Sequence, residues 1–229
     1  MAKRFYEHVG VKAQEGDYVV VLDERVLKTP GKQPLTFDKQ FRAALVAKEW
    51  QAQKDEIKPE TMPCTRLMNV ACELTPTRRP ELVSGFRSYC RTDLLCYRTA
   101  APRDLARRQD ENWQPVLDWA AKNHGFKLAV TTGLNAIAQP ETSLNAASTY
   151  ADSQSNAQLT LLVHFMASLG SSVLALALME GHLDAEHAFT HSRLDEMFQN
   201  ERWGEDEEAM LSRQNLRTEI ITLSALIKE

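Results

Sequence analysis

The spacing of the apolar residues changes along this chain, and that change constrains the fold more than any other feature. Residues 18–22 form a run of apolar and β-branched side chains, and turn-forming residues 23–25 separate them from a second apolar stretch at residues 26–28. This arrangement predicts a β-hairpin. Beyond about residue 75 the apolar residues recur at the spacing of amphipathic helices. We therefore predict an α+β protein in two parts.

The first part, residues 1–75, is predicted to be a small β-rich N-terminal domain that also contains one helix. Residues 5–9 alternate well enough to form an edge strand. Asp38 is placed to cap a helix that runs to about Gln53. The length of 229 residues allows one large core or two small ones, so two domains are feasible.

The second part, residues 76–229, is predicted to be a larger all-helical domain. Its helices are expected to begin near Pro80, Asp104, residue 157, Asp184 and Glu205. Pro115 predicts a kink or a break within the second of these helices, and Gly170 marks a candidate break in the third. Residues 128–138 fit either a strand or an extended linker.

The apolar stretch at residues 159–179 has the length of a membrane-spanning helix, about 20 residues. His164 and Ser168 lie within it, and polar groups are costly inside a bilayer. A buried helix is therefore favoured, and no membrane insertion is predicted. The formal charge of −4 does not favour a nucleic-acid partner, and acidic residues flank the arginine pairs at 78–79 and 107–108.

The chain has four cysteines, and none of them forms a C-x-x-C pair. Buried thiols in a reducing compartment are favoured over a disulfide framework. Two positive charges near the N-terminus are not followed by an apolar stretch. We expect a protein of the bacterial cytoplasm or, in a eukaryote, of the mitochondrial matrix.

Three histidines, at positions 182, 187 and 191, are the candidate metal ligands. His187 and His191 are one helical turn apart, and Asp195 follows one turn later. Metal-binding helices with this spacing add a catalytic glutamate or ligands from a second helix, and residues 188–190 supply no glutamate. The sequence also lacks a phosphate-binding glycine loop and a G-x-S-x-G motif. We predict no catalytic residue, metal or cofactor, and a metal- or thiol-dependent enzyme stays an alternative.

Asp93 occupies the apolar side of its predicted helix, one turn before Tyr97. A carboxylate in such a place needs a charged partner or hydrogen-bond donors. Arg91 and Arg98 are the nearest candidates in the sequence. We predict that these three residues form a structural polar network rather than a catalytic acid.

Four consecutive acidic residues follow Trp203 and Gly204, at positions 205–208. Acidic residues at a helix N-terminus interact favourably with the helix dipole, which is a structural role. A tryptophan beside a dense acidic cluster is also typical of a protein-binding surface. The sequence leaves both interpretations open.

Several short segments occur together in one order across nearly the whole chain. They are residues 22–30, 49–50 with Gln53, 61–63, 92–98, Gln109 with 113–115 and Trp119, and 192–195 with Gln199, Trp203 and Gly204. Together they resemble the ATP-twelve (ATP12) chaperone family, also called ATP synthase assembly factor two. No single segment is specific, but their common order makes coincidence a poor explanation.

The resemblance implies a non-catalytic molecular chaperone. Members of that family bind the isolated α subunit of the catalytic head of the F-type ATP synthase, before the β subunit docks. The implied partner-binding residues are Trp203, Gly204, Asp206, Glu207 and Glu208. We expect the chaperone to be a monomer. A general holdase with broad clients is the main alternative.

This chain departs from the family pattern at two places. Ser171 and Ser172 stand where the family often has Lys-Ser, and Met210 and Leu211 stand where a His-Asp pair is common. Glu207 matches the family's characteristic acidic position. The departures leave the expected fold unchanged but weaken the transfer of details near the C-terminus.

Overall fold

The computed structural model describes residues 2–133 and 135–228. An antiparallel sheet near the N-terminus is followed by a long succession of helices, which confirms the predicted α+β class. The chain forms two compact units. One comprises Met1–Arg78, Asn156–Leu161 and Thr222–Glu229, and the other comprises Arg79–Ser155 and Leu162–Ile221. The domain boundary near residue 75 stays a prediction.

The sheet is built around one central strand. Its strands are β1 (Val9–Gln14), β2 (Asp17–Leu22), β3 (Arg25–Val26) and β4 (Thr36–Phe37). Strand β2 pairs antiparallel with each of the other three. All four of its residues from Val19 to Leu22 are buried, which explains why this apolar run predicted a strand correctly.

The predicted edge strand at residues 5–9 was wrong, because the first strand begins only at Val9. Tyr6 is buried instead against a helix, where its hydroxyl donates a hydrogen bond of 2.7 Å to the Trp50 carbonyl oxygen. Arg4 donates to the backbone carbonyls of Tyr6 and Gln53. Together with an isolated antiparallel bridge between Lys3 and Glu56, these side-chain contacts fix the segment before β1.

Two helices complete the N-terminal part of the first unit. They are α1 (Gln40–Ala52), which packs against β1 and β2, and α2 (Pro63–Glu73). A short 3-10 turn at Pro59–Thr61 precedes α2. Asp38 does not cap α1 as predicted. Its carboxylate accepts two hydrogen bonds from the buried guanidinium of Arg42 instead.

The remaining helices follow in chain order. They are α3 (Thr75–Arg91), α4 (Arg103–His124), α5 (Glu141–Ser153), α6 (Asn156–Leu169), α7 (Ser172–Met179), α8 (Ala185–Ser192), α9 (Leu194–Trp203) and α10 (Glu207–Ser224). Every residue of α7 is buried, and α7 packs against α4 and α8. This central position explains the apolar composition that resembled a membrane span. Across the described residues, none of the helices combines the length and apolar character that crossing a bilayer requires.

The breaks in the helical part follow the sequence signals only in part. Helices α6 and α7 are separated at Gly170, whose positive φ of 69° favours glycine, as predicted. Pro115 was predicted to cause a kink or a break. Helix α4 continues through it, so the break was wrong, and the kink stays a prediction. A proline within a helix costs about 3 kcal/mol. Burial of Trp113, Val116 and Leu117 on either side offsets that cost.

The predicted helix from Asp184 to Glu201 is two helices, which meet at Arg193. The Asp184 carboxylate accepts a hydrogen bond from the His187 amide and caps α8, as predicted. In residues 128–138, of which residue 134 lies outside the described part, the described residues form no regular strand. Thr131 makes a single bridge to Tyr97.

Candidate functional site

The Asp93 carboxylate is completely buried, and the second unit supplies its hydrogen-bond donors. Its Oδ1 atom accepts from the Ser171 hydroxyl at 2.8 Å and from the Leu95 amide at 3.1 Å. Its Oδ2 atom accepts from the Val173 amide at 3.1 Å. Asp93 thereby caps the 3-10 turn Leu94–Cys96 and also meets the N-terminus of α7.

Burial raises the pKa of the Asp93 carboxyl above its ordinary value, and the Ser171, Val173 and Leu95 hydrogen bonds oppose that rise. The positive end of the α7 dipole lies at the same place and favours a negative charge. Ser171, the N-cap of α7, connects the two, because its oxygen also accepts from the Leu174 amide at 3.0 Å. Asp93 therefore links the Leu94–Cys96 turn to the N-terminus of α7 by hydrogen bonds inside the core.

The predicted arginine partners of Asp93 were wrong. Arg98 forms an ion pair with Asp110 at 2.5 Å and donates to the Gln114 side chain at 2.9 Å. Arg91 is exposed at the end of α3, and its nearest carboxylate, Glu141, lies 4.0 Å away. Both acids are solvent-exposed, but the two arginines differ, because the Arg91 side chain is exposed and the Arg98 side chain is largely buried.

Ser171 is the residue that the sequence interpretation did not assign to this site. The sequence did mark this position as unusual, because the family that the chain resembles often has lysine where Ser171 stands. A lysine beside Asp93 would supply a charge, whereas Ser171 supplies a hydroxyl donor. In this chain neutral donors alone satisfy the buried carboxylate, as the hydrogen bonds show.

The second candidate region lies where α9 ends and α10 begins, and we call residues 203–208 the acidic edge. Trp203 is the last residue of α9 and is 78% exposed. Gly204 follows with φ of 86°, a conformation that favours glycine. Helix α10 then starts at Glu207. The glycine turn thus separates the exposed tryptophan from the acidic start of the next helix.

The acidic residues of this edge differ in their partners. Glu205 forms an ion pair with Arg213, and the Asp206 carboxylate accepts a hydrogen bond of 3.0 Å from the Ala209 amide. Glu207 and Glu208 are exposed in the first turn of α10, and neither has an ion-pair partner in the described part of the chain. Two of the four carboxylates therefore remain available to another molecule.

Two apolar residues next to the acidic edge were missed as site candidates. Met210 is 47% exposed and Leu211 is 58% exposed. Residues 201–212 are all exposed, so the first turns of α10 bury little surface in the described structure. The sequence could have pointed to them, because Met210 and Leu211 stand where the family that the chain resembles commonly has a polar pair. Exposed apolar side chains close together are typical of interaction surfaces.

The three candidate metal-binding histidines have separate roles. The His182 ring stacks on Trp119, with ring centroids 4.3 Å apart. His187 Nδ1 lies 2.8 Å from the Asp184 carboxylate. Burial and the neighbouring His187 lower the pKa of His191. Among the described residues no group of three His, Cys, Asp or Glu side chains is arranged to hold a metal ion.

The cysteines offer no reactive thiol in this region. Cys64, Cys90 and Cys96 are buried and unbridged. Burial, reinforced by the nearby Asp93 charge, raises the pKa of the Cys90 thiol to about 12. A thiol held neutral at physiological pH is a poor nucleophile. Burial also raises the pKa of the half-buried Cys72 thiol. The four thiols thus give no support to a thiol-dependent enzyme.

Comparison with known proteins decides what kind of molecule carries these features. The sequence model described as "ATP12 chaperone protein" matches residues 3–121, which is more than half of the 229-residue chain. The chain belongs to the ATP12 chaperone family. The resemblance inferred from the scattered segments is confirmed.

Relatives of this ATP12-family chain match it over most of its length. "Protein atp12, mitochondrial" from Schizosaccharomyces pombe is 25% identical over 219 residues, which cover 90% of this chain and 75% of that protein. The crystal structure of Atp12 from Paracoccus denitrificans is 38% identical, covers 99% of this chain and 97% of the other, and superposes with a TM-score of 0.93. A solved protein from Agrobacterium tumefaciens is 36% identical over 98% of this chain and 84% of its own, with a TM-score of 0.90.

Membership of the ATP12 family makes the chain a chaperone of ATP synthase assembly. A chaperone acts by binding another protein, so the family implies a non-enzymatic role. The two candidate regions then have different meanings. Asp93 is bonded only within its own chain, whereas the acidic edge presents side chains that a partner protein can contact.

Proposed function

We propose that this ATP12-family chaperone binds the unassembled α subunit of the catalytic head of the F-type ATP synthase. It shields the surface of α that later meets β, and it releases α when β docks. The observation that carries the proposal is the exposed stretch at residues 201–212, which combines apolar side chains with unpaired carboxylates. Family membership supports the class of client.

Covering an unassembled subunit is a physical requirement of assembly. A subunit that lacks its neighbour exposes an apolar surface, and such surfaces drive aggregation. A chaperone that covers this surface must bind well enough to protect it and weakly enough for the natural neighbour to displace it. Exchange of one protein contact for another needs no nucleotide hydrolysis, which agrees with a sequence that has no phosphate-binding loop.

We assign the contact with α to the acidic edge and the adjacent apolar residues. Trp203, Met210 and Leu211 supply apolar surface, and a tryptophan is the residue type most enriched at the energetic centre of interfaces. Glu207 and Glu208 supply charges that steer and orient a basic surface of the client. Asp206 caps the start of α10, and Gly204 permits the turn that presents it.

The test is co-elution on a sizing column of this chain with purified α subunit, followed by addition of purified β subunit. We expect a complex with α that dissolves when β is added. An unrelated aggregation-prone protein is the control, because a general holdase would retain it as readily as α. Failure to form any α complex across a range of salt concentrations would refute the proposed function.

We further propose that the chaperone acts as a monomer. Its location is proposed from its relatives. The S. pombe relative is described as mitochondrial, and the solved P. denitrificans structure is bacterial. We accordingly place the chain in the mitochondrial matrix of a eukaryote or in the cytoplasm of a bacterium. Sedimentation at several protein concentrations tests the monomeric state.

A further inference from the structure

The first unit contains a groove that the proposed function does not use. It has a volume of about 820 Å³ and runs along the exposed side of α1. Phe41, Ala44 and Leu45 of α1 line it with half-buried apolar side chains. Three lysines also line the groove. They are Lys39, the residue just before α1, Lys48 within α1 and Lys228 of the C-terminal segment.

Buried Arg42 holds two sides of this groove together. Its Nε atom donates a hydrogen bond of 2.8 Å to the Leu226 carbonyl oxygen, which ties the C-terminal segment to α1. Its Nη1 atom contacts both carboxylate oxygens of Asp38 at 2.7 and 2.8 Å. The guanidinium also lies 5.4 Å from the centre of the Phe41 ring. The groove is therefore preformed, with walls fixed by a residue that is itself 2% exposed.

The charge of the groove is opposite in sign to that of the whole chain. The chain carries a formal charge of −4, yet all three lysines of the groove are exposed and have no ion-pair partner in the described residues. Among the lining residues that the structure describes, Asp38 is the one acid, and Arg42 neutralises it. An apolar floor with unpaired ammonium groups around it complements a polypeptide that alternates acidic and apolar side chains.

We propose that this groove binds an acidic segment of the client protein, with an apolar side chain of that segment seated on Phe41, Ala44 and Leu45. The identity of the client rests on the proposed function, but the chemistry of the groove does not. The chaperone would then hold its client at two surfaces of opposite charge, the acidic edge and this basic groove. Two contacts on one client add avidity without requiring either contact to be tight.

A polypeptide fits the groove better than other polyanions do. Duplex nucleic acid is normally bound by a wide basic surface rich in arginine, and here the arginine faces inward and is already paired. A flat phospholipid surface cannot enter a concave groove to reach its apolar floor. An extended or helical segment can place an apolar residue on the floor and carboxylates beside the lysines.

The first experiment uses a short fluorescent peptide in which glutamate alternates with leucine, and its anisotropy reports binding to the full chain. The groove variant is Lys39→Glu/Lys48→Glu. The matched control, Lys12→Glu/Lys54→Glu, changes two exposed lysines of the same unit outside the groove and alters the net charge equally. We expect the groove variant to bind the peptide roughly tenfold more weakly than the wild type, and the control to bind it normally. Circular dichroism melting checks that each variant is folded.

Equal peptide affinity in wild type, groove variant and control would overturn the proposal, and so would equal weakening in both variants. A DNA duplex that displaces the peptide at a lower concentration than unlabelled peptide would reassign the groove to nucleic acid.

The second experiment repeats the comparison with purified α subunit. Weaker α binding in the groove variant alone supports the two-surface model. An α complex unaffected by the groove variant refutes it. If the wild type binds the peptide but not α, the groove assignment stands and the proposed function fails.

Discussion

Asp93 and the acidic edge are both acidic regions of the same unit, but the fold treats them in opposite ways. The Asp93 carboxylate is buried and receives hydrogen bonds from a hydroxyl and two backbone amides. Glu207 and Glu208 are exposed and receive none from side chains of the described structure. A carboxylate whose bonds are all made within the chain stabilises the fold, whereas one left unbonded at the surface is available for recognition.

Solvent explains why both arrangements are stable. An unpaired carboxylate costs little in water, but a buried one costs several kcal/mol unless donors surround it. The residues around Asp93 must therefore be placed accurately, and those around Glu207 need not be. The four predictions below test this distinction from the largest expected effect to the smallest.

Replacing Asp93 with alanine should have the largest effect. The change leaves the Ser171 hydroxyl and the Leu95 and Val173 amides buried without their acceptor, and each such loss costs about 1–3 kcal/mol. We expect the free energy of unfolding to fall by about 3 kcal/mol in urea denaturation. Asp206→Ala, which removes only an exposed helix cap, should cost about 1 kcal/mol. Equal stability of the two variants would contradict the distinction.

Replacing Trp203 with alanine should weaken α-subunit binding without altering stability. The side chain is exposed in the free chain, so its removal leaves no cavity in the core. At an interface a tryptophan of this kind contributes about 2 kcal/mol, a loss of roughly 30-fold in affinity. Titration calorimetry measures the affinity and thermal melting measures the stability. A variant that melts early would show that Trp203 is a structural residue instead.

The Glu207→Lys substitution should weaken α binding by about tenfold and alter its dependence on salt, because we propose that this carboxylate faces the client. The free energy of unfolding should change by less than about 1 kcal/mol, since the residue is exposed and its role at the α10 dipole is small. Glu24→Lys, at an exposed turn of the first unit, is the matched charge control. If Glu24→Lys weakens the complex equally, net charge rather than the acidic edge is responsible.

The dependence of stability on pH should distinguish Asp93 from the exposed acids, although by the smallest amount. Because burial raises the pKa of Asp93, the folded chain takes up this proton at a higher pH than the unfolded chain does. The contribution of Asp93 to stability therefore grows as the pH falls through its raised pKa, and the gain stops near the ordinary pKa of about 3.9. Urea denaturation of the wild type and of Asp93→Asn at neutral and at mildly acidic pH measures it. We expect the wild type to gain stability relative to the variant on acidification, and a relative loss would contradict the assignment.

The sequence predicted those parts of the fold that depend on local composition. Strand β2 was predicted because its β-branched run is buried, and the break at Gly170 because a positive φ favours glycine. The predicted break at Pro115 failed because the neighbouring Trp113 and Val116 are held by tertiary packing. The edge strand was misplaced because the segment that pairs with β2 is Val9–Gln14. The last three residues of this segment are exposed, so its apolar pattern in the sequence is weak.

The candidate site was predicted in the same partial way. The burial of Asp93 was predicted from a helical apolar stripe, yet α3 ends at Arg91 and Asp93 lies just beyond it. Its partner Ser171 is 78 residues away in sequence and could not be found from spacing. The exposure of Trp203 was inferred correctly from its acidic neighbours. Which of those acids has a partner depends on where Arg213 of α10 lies, and the tertiary fold sets that position.

Helix α10 is packed at only one end. Ile220 and Leu223 are buried near its C-terminus, while everything from Glu207 to Ser212 at its start is exposed. Arg213 and Arg217 tie the middle of the helix to Glu196 and Glu186, so the residues before Arg213 are its least anchored part. We expect such a segment to open locally at a small fraction of the global unfolding free energy. A client bound there, as we propose, would meet a segment able to adjust its shape to the surface it covers. On the proposed function, a competing subunit would displace the chaperone from this end one helical turn at a time rather than all at once.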